Sequence, residues 1–326
     1  MLVIFLYGFN LGHYIYMTTI LYSHDACFGH NPHVGHPECP ERLSAILSAL
    51  DAPNFKNLKN CQPPLATVEQ IVRVHDYSYV TWALAEMKER GNVIFDNDTC
   101  TSVGSYEAAL RAAGSVCAAI DSIMAEKAKN AFCAVRPPGH HAEYSHAMGF
   151  CFFNNVAVGA AHARFVHGLE RVAVIDFDVH HGNGTQAAFW NDPNLFFGST
   201  HQSPLYPGTG NKNERGVAGN IINVPLKPCA GSEEFRNAMD NIVFPALREF
   251  SPDFLLISAG FDAHSDDPLA SLNFIDDDYY WVTNQLCAIA ADYCRCRLVS
   301  TLEGGYHLES LGRSAAAHVA ALIDAQ

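Results

Sequence analysis

The stretch DFDVHHGNGTQ, Asp176 to Gln186, carries two aspartates and two adjacent histidines within six residues, directly after the apolar run RVAVI. Asp178 and His180 stand two apart, so the pleat of a strand would send both side chains to one face and Val179 to the other. That is a bidentate metal-ligand arrangement. Asp262, in SAGFDAH at the end of another apolar run, supplies a third donor and gives an Asp/His/Asp set with coordination positions left open. Nitrogen and oxygen donors without thiolate suit Zn²⁺, and they also admit Fe²⁺ or Co²⁺. An isolated Asp-x-His is more often a cap beside a core histidine; a second cluster of the same kind shifts the balance toward metal.

His140 and His141 close RPPGHH, where two prolines stiffen the loop. Imidazole titrates near neutrality, and a metal-bound water needs a base to take its proton and an acid to protonate the leaving group. One histidine of the pair can do both in turn. An unplaced His-His pair usually lies in solvent, but this one follows a predicted core strand. Asp176 and Asn183 are candidates to hold the far nitrogens of these rings. Tyr306, after the glycines of EGGY, could donate a hydrogen bond to an oxyanion.

Positioning such groups requires elements that end at one place. Short β-branched runs alternate with segments of helical period, which predicts an α/β fold with a mostly parallel sheet flanked by helices. Strands are predicted over 19–23, 131–137, 171–178, 195–201, 221–226, 253–262 and 297–305. Helices are predicted over 40–51, 105–127, 154–168, 233–250, 277–294 and 308–324. PPGHH, DFDVHHGNG, FDAH and EGGYH all fall where strands end, and in an open α/β sheet the ligand site lies at the carboxyl ends. Four clusters therefore predict one site.

With 49% hydrophobic and 17% charged residues, the chain has the composition of a globular protein rather than a disordered one. No linker-like tract divides it, so one domain over 17–326 is expected, with 1–16 as an N-terminal extension ahead of the first core strand. That extension is apolar but lacks a basic leader, and His13 interrupts it, so neither a secretory signal nor a membrane span is expected. A formal charge of −14 disfavours nucleic acid and suits a cationic substrate. Eleven cysteines without framework spacing read as reduced thiols, and hence as a cytoplasmic protein. One further cluster, CFGHNPHVGHPEC, spaces Cys27, His30, His33, His36 and Cys39 at three-residue intervals. It admits a second, structural zinc site or, more simply, a loop on a channel rim.

RPPGHH, DFDVHHGNGTQ, SAGFDAH and EGGY, in this order and spacing, together with HPECPERL, GFCFFNNVAVGA and YPGTG, closely resemble the histone deacetylase superfamily of zinc amidohydrolases. The similarity runs from about Ser23 through the last predicted helix, and Asn183 in HHGNGT resembles the class II and bacterial deacetylase-like branch. The resemblance implies the arginase/deacetylase α/β sandwich. It implies Zn²⁺ on Asp178, His180 and Asp262, His141 as general base and then acid, His140 beside it, Asp176 against His140, and Asn183 against His141. Tyr306 would polarise the scissile carbonyl, and Phe150 and Tyr206 would wall a narrow channel. A structural K⁺ is implied as well, held by Asp176 and Ser199 side chains and the backbone of Asp178, His180 and Thr200. The expected substrate is an acetylated lysine of a protein or peptide. An acetylated polyamine is the alternative, although Leu269 stands where polyamine-selective relatives carry an acidic gatekeeper. A silent acyl-lysine-binding module would need a missing ligand or base, and every candidate is present; a homo-oligomer is compatible with either activity.

Overall fold

The structure, a computed structural model, describes residues 18–325, so the expected 1–16 extension lies outside the described residues. Its centre is an eight-stranded sheet of β1 (Thr19–Tyr22), β2 (Lys59–Cys61), β3 (Asn130–Cys133), β4 (Val172–Asp176), β5 (Leu195–Gln202), β6 (Ile221–Leu226), β7 (Phe254–Ala259) and β8 (Leu298–Leu302). The order is β2-β1-β3-β8-β7-β4-β5-β6, and every neighbouring pair is parallel. A parallel sheet is covered on both faces, so its inner strands must be apolar throughout. VAVI in β4 and FLLI in β7 meet that demand, and both strands are buried at every position, including the polar Asp176 and Ser258 near their carboxyl ends.

The helices are α1 (Glu41–Leu50), α2 (Val68–Ile71), α3 (Tyr77–Arg90), α4 (Ser105–Met124), α5 (Asn155–His167), α6 (Asn183–Phe189), α7 (Ser232–Ala238), α8 (Phe244–Phe250), α9 (Asp276–Cys294) and α10 (Leu308–Asp324). α1, α9 and α10 pack together over one face, and α4 and α5 pack together against the sheet elsewhere. α10 shows how the pattern works: Leu311, Ala315, Val319 and Leu322 recur at helical spacing and are all buried. Between α7 and α8 the helix widens into a π-turn over Met239–Val243, just before Pro245, which has no N–H to donate to the preceding turn.

Two readings from sequence change. The predicted strands overrun: β4 stops at Asp176 and β7 at Ala259, so Asp178, His180 and Asp262 sit in loops beyond the sheet. Strand pleat therefore does not align Asp178 with His180; a turn does, with Asp178 N–H donating to Asp176 Oδ1 at 3.0 Å and His180 N–H to Asp178 Oδ1 at 2.8 Å. β2, a mostly exposed edge strand of sequence KNC, was not anticipated, because three polar-leaning residues give no period to read.

Candidate active site

The loops after β3, β4, β7 and β8 bring the four clusters together. Asp178, His180 and Asp262 place one donor atom each within 4.8 Å of the others, His180 Nδ1 lying 3.1 Å from Asp178 Oδ1 and 3.1 Å from Asp262 Oδ2. Their backbone frame is fixed by Gly304 N–H donating to Asp178 Oδ2 at 2.8 Å and Val179 N–H donating to Asp262 Oδ1 at 2.9 Å. Gly260 and Gly304 make room for the carboxylates. A Cβ on Gly260 would lie 2.1 Å from Asp178 Oδ2, and one on Gly304 would lie 2.0 Å from Asp262 Oδ2.

Burial, followed by the field of Asp178, pushes the Asp262 carboxyl up to about 7. Burial alone would lower His180, but the two aspartates more than offset it and raise the ring to about 10. The two aspartates thus hold positive charge between them, and two carboxylates with an imidazole nitrogen fit a hard or borderline dication, which would take the place of the ring's proton. The site fits Zn²⁺ by donor type.

The His140 and His141 rings lie tilted against each other with centroids 4.0 Å apart, yet their environments differ. His140 Nδ1 is 2.9 Å from Asp176 Oδ2; burial opposes its charge, but Asp176, Asp178 and Glu303 together raise it to about 10. His141 is driven well below the ordinary histidine value by burial and then by the charge of its neighbour. The pair is thus divided into a cation and a neutral ring. His141 Nδ1 lies 2.7 Å from Asn183 Oδ1, and a Cβ on Gly149 would collide with the His141 ring at 2.4 Å.

Tyr306 lies across the pocket, its backbone N–H donating to Asp267 Oδ2 at 2.6 Å and its ring lying under the Arg42 guanidinium at 4.8 Å. Burial holds its phenol well above the usual value, so it is a protonated donor. Phe150 contacts Tyr306 edge-on at 6.0 Å, and Tyr206 contacts His141 at 5.2 Å and His180 at 6.3 Å. The two aromatics thus rest on different members of the site, Phe150 on Tyr306 and Tyr206 on the histidines. Leu269, partly exposed, donates its N–H to Asp267 Oδ1 at 3.0 Å and so belongs to the loop tied to Tyr306.

Asp176 and Ser199 are register partners on β4 and β5, and Ser199 Oγ lies 2.9 Å from His201 Nδ1. Thr200 adjoins it, with its Oγ1 buried and unpartnered.

The Cys27 to Cys39 cluster does not gather around a metal: among the described residues its side chains form no ligand group. Three of the five are engaged elsewhere. His30 Nε2 lies 3.2 Å from Glu38 and its Nδ1 2.6 Å from Ser105 Oγ, Cys27 is buried, and His36 packs on Phe150 at 4.7 Å.

Several charged groups of the site escaped the sequence reading. Glu38 is fully buried and binds Arg42 at 3.0 Å and Arg136 at 2.7 Å; these cations and His30 hold its carboxyl far below the usual range against burial. Arg42 then donates to the carbonyls of Gly305 at 2.5 Å and Glu303 at 2.6 Å, fixing the loop that carries Tyr306. The clue was present in HPECPER, where Glu38 and Arg42 are one helical turn apart. Glu303 itself is another, as it receives the N–H groups of Gly139 and His140.

The family described as the histone deacetylase domain matches residues 36–322. Histone deacetylase 14, chloroplastic, of Arabidopsis thaliana is 41% identical, covering 93% of this chain and 76% of that protein. The histone deacetylase-like amidohydrolase of Pseudomonas aeruginosa is 39% identical, covering 83% of this chain and 73% of the relative. The crystal structure of the HDA15 HD domain superposes with a TM-score of 0.88 at 34% identity, covering 94% of this chain and 89% of that one. Fold, clustered residues and relatives agree, and the chain belongs to the histone deacetylase family of deacetylases and amidohydrolases.

Proposed function

We propose that residues 17–326 form one catalytic unit, a Zn²⁺-dependent amidohydrolase that removes acetyl or other acyl groups from lysine side chains of proteins or peptides. One observation carries the reading: His140 Nε2 lies 3.9 Å from Asp178 Oδ2 and the His141 ring 5.9 Å from that of His180, so the histidine pair stands against the Asp178/His180/Asp262 cluster, with Phe150 on Tyr306 and Tyr206 on His141. When bound to those three residues, Zn²⁺ supplies a Lewis acid for the amide carbonyl and for the attacking water.

The chain's own groups do the rest. With Nδ1 committed to Asn183, His141 offers Nε2 to take the proton of the attacking water and return it to the amine as the C–N bond breaks. His140, charged and held by Asp176, favours the electron density that builds up on the carbonyl oxygen. Tyr306 donates its phenolic hydrogen to that oxygen, a contribution of about 3–4 kcal/mol for one such donor. Phe150 and Tyr206 enclose an aliphatic stem and exclude water.

A K⁺ beneath the site is part of the reading. The register pairing of Asp176 with Ser199 supports it by placing two of the proposed oxygen donors side by side. All eleven cysteines are free thiols, which suits a reducing compartment such as the cytoplasm. The negative charge suits a cationic partner, and partly exposed Leu269 in place of an acidic gatekeeper favours a peptide over a polyamine.

Turnover of an acetyl-lysine peptide and of acetylspermidine, measured in parallel, tests the substrate class; the peptide is expected to be the better substrate. Tyr306→Phe should lower kcat by about 10²–10³ with metal content unchanged. Undiminished turnover in that variant contradicts the assignment.

A further inference from the structure

The side chain of Glu143 lies outside the roles given above, yet it is built into the site. Asn183 uses both ends of its amide: Oδ1 faces His141 Nδ1 at 2.7 Å, and Nδ2 donates to Glu143 Oε1 at 2.7 Å. Nδ2 also lies 3.4 Å from the His141 carbonyl and 3.3 Å from Met148 Sδ, so the carboxylate is its shortest and only charged acceptor. Glu143 is held from several directions. His75 Nδ1 lies 2.8 Å from its carbonyl oxygen, Asp76 N–H donates to the Tyr144 carbonyl at 2.8 Å, and Glu143 N–H donates to the His146 carbonyl at 2.9 Å.

An ionised carboxylate can only accept hydrogen bonds. The NH₂ end of Asn183 must therefore face Glu143, which leaves the oxygen end for His141. An amide oxygen can only accept, so His141 Nδ1 must carry the hydrogen, and in the neutral ring Nε2 is then bare. We propose that Glu143 is a positioning residue that acts through the Asn183 amide to fix the His141 tautomer with Nε2 free to accept a proton. An aspartate in place of Asn183 would set the tautomer alone; an amide has two unlike ends and needs something to orient it.

The proposal rests on the reading of His141 as the base, and its test separates the two. Glu143→Lys presents a donor where an acceptor stood, attracts the oxygen end of Asn183 and turns its NH₂ toward His141. In the zinc-loaded enzyme it should lower kcat by at least about tenfold, in the range typical of groups supporting a site's primary residues, with KM changed less than about threefold. Adding Asn183→Asp to Glu143→Lys should recover kcat to within about threefold of the parent, since a carboxylate at position 183 accepts from both neighbours. Glu143→Gln, whose amide can turn either end toward Asn183, should fall between the parent and Glu143→Lys in kcat, and its unfolding curve reports that the loop folds.

The ¹⁵N signals of His141 in the zinc-loaded parent should show Nδ1 protonated and Nε2 bare, a readout that needs no turnover. An unchanged kcat in Glu143→Lys, a change in KM alone, no recovery in the double variant, or a protonated Nε2 in the parent each overturns the proposal. Absent parent turnover with the expected ¹⁵N pattern would count against the hydrolase reading and uphold the tautomer.

Discussion

Glu303 reaches from the end of β8 to the His140 backbone, its Oε2 accepting the His140 N–H at 3.1 Å and the Gly139 N–H at 2.7 Å, while its Oε1 accepts from Ser258 Oγ at 3.0 Å. One side chain thereby ties the loop bearing the histidine pair to the loop bearing Tyr306. Burial raises this carboxyl to about 7, so the tie has a desolvation cost that its three donors offset only in part.

Removing that carboxylate strands buried donors, each worth about 1–3 kcal/mol. Glu303→Ala should destabilise the fold by about 3 kcal/mol or more and reduce kcat by at least about tenfold. Glu303→Gln, which keeps an acceptor, should recover most of both. Denaturant unfolding and kinetics on the same samples check this; a stable, fully active alanine variant contradicts it.

Gly304 tests the cradle. A methyl group there would meet Asp262 Oδ2 at 2.0 Å, and that carboxylate cannot swing away freely, because its other oxygen is held by Val179 N–H. Gly304→Ala should weaken Zn²⁺ binding by about 10–100-fold, the effect usual for groups that orient metal ligands. Titration against a competing chelator measures it, and parent-like affinity would count against the cradle.

Much of this was legible in the sequence because the chemistry is concentrated in runs. RPPGHH, DFDVHHGNG, GFDAH and EGGY name the pocket's polar groups, and the apolar runs before them name the central strands. Less legible were groups whose meaning lies in long-range pairing. Glu38 gave no sign that it would meet Arg136, and Glu143 gave none that it would meet Asn183, because the partners are brought together only by the fold. The alignment of Asp178 with His180 was anticipated on the wrong ground. Hydrogen bonds in a turn achieve what strand pleat was expected to achieve.

Four histidines give the fold an acid limit. Burial lowers His75 and His181 to about 4 and His201 and His318 to about 3. Their unfolded values are about 6.5, so the unfolded chain binds more protons between pH 6.5 and these lower values. Their stabilising contribution is complete above about pH 6.5 and is lost as pH falls toward 4 and 3. The slope is about 1.4 kcal/mol per pH unit for each proton. His318 bridges Thr283 Oγ1 at 2.6 Å and Ser300 Oγ at 2.8 Å, which an amide can imitate. Urea unfolding between pH 7 and 5 should show His318→Gln with a shallower dependence by about one proton; an unchanged slope contradicts the assignment.

Metal dependence is the centre of the account. Acetate released from an acetyl-lysine peptide should be measured for the purified protein, for the protein stripped by a chelator, and for the stripped protein given Zn²⁺. Activity should vanish on stripping and return at one equivalent per chain, whereas Asp262→Asn should stay inactive at that stoichiometry. Unchanged turnover by verified metal-free protein would contradict the account.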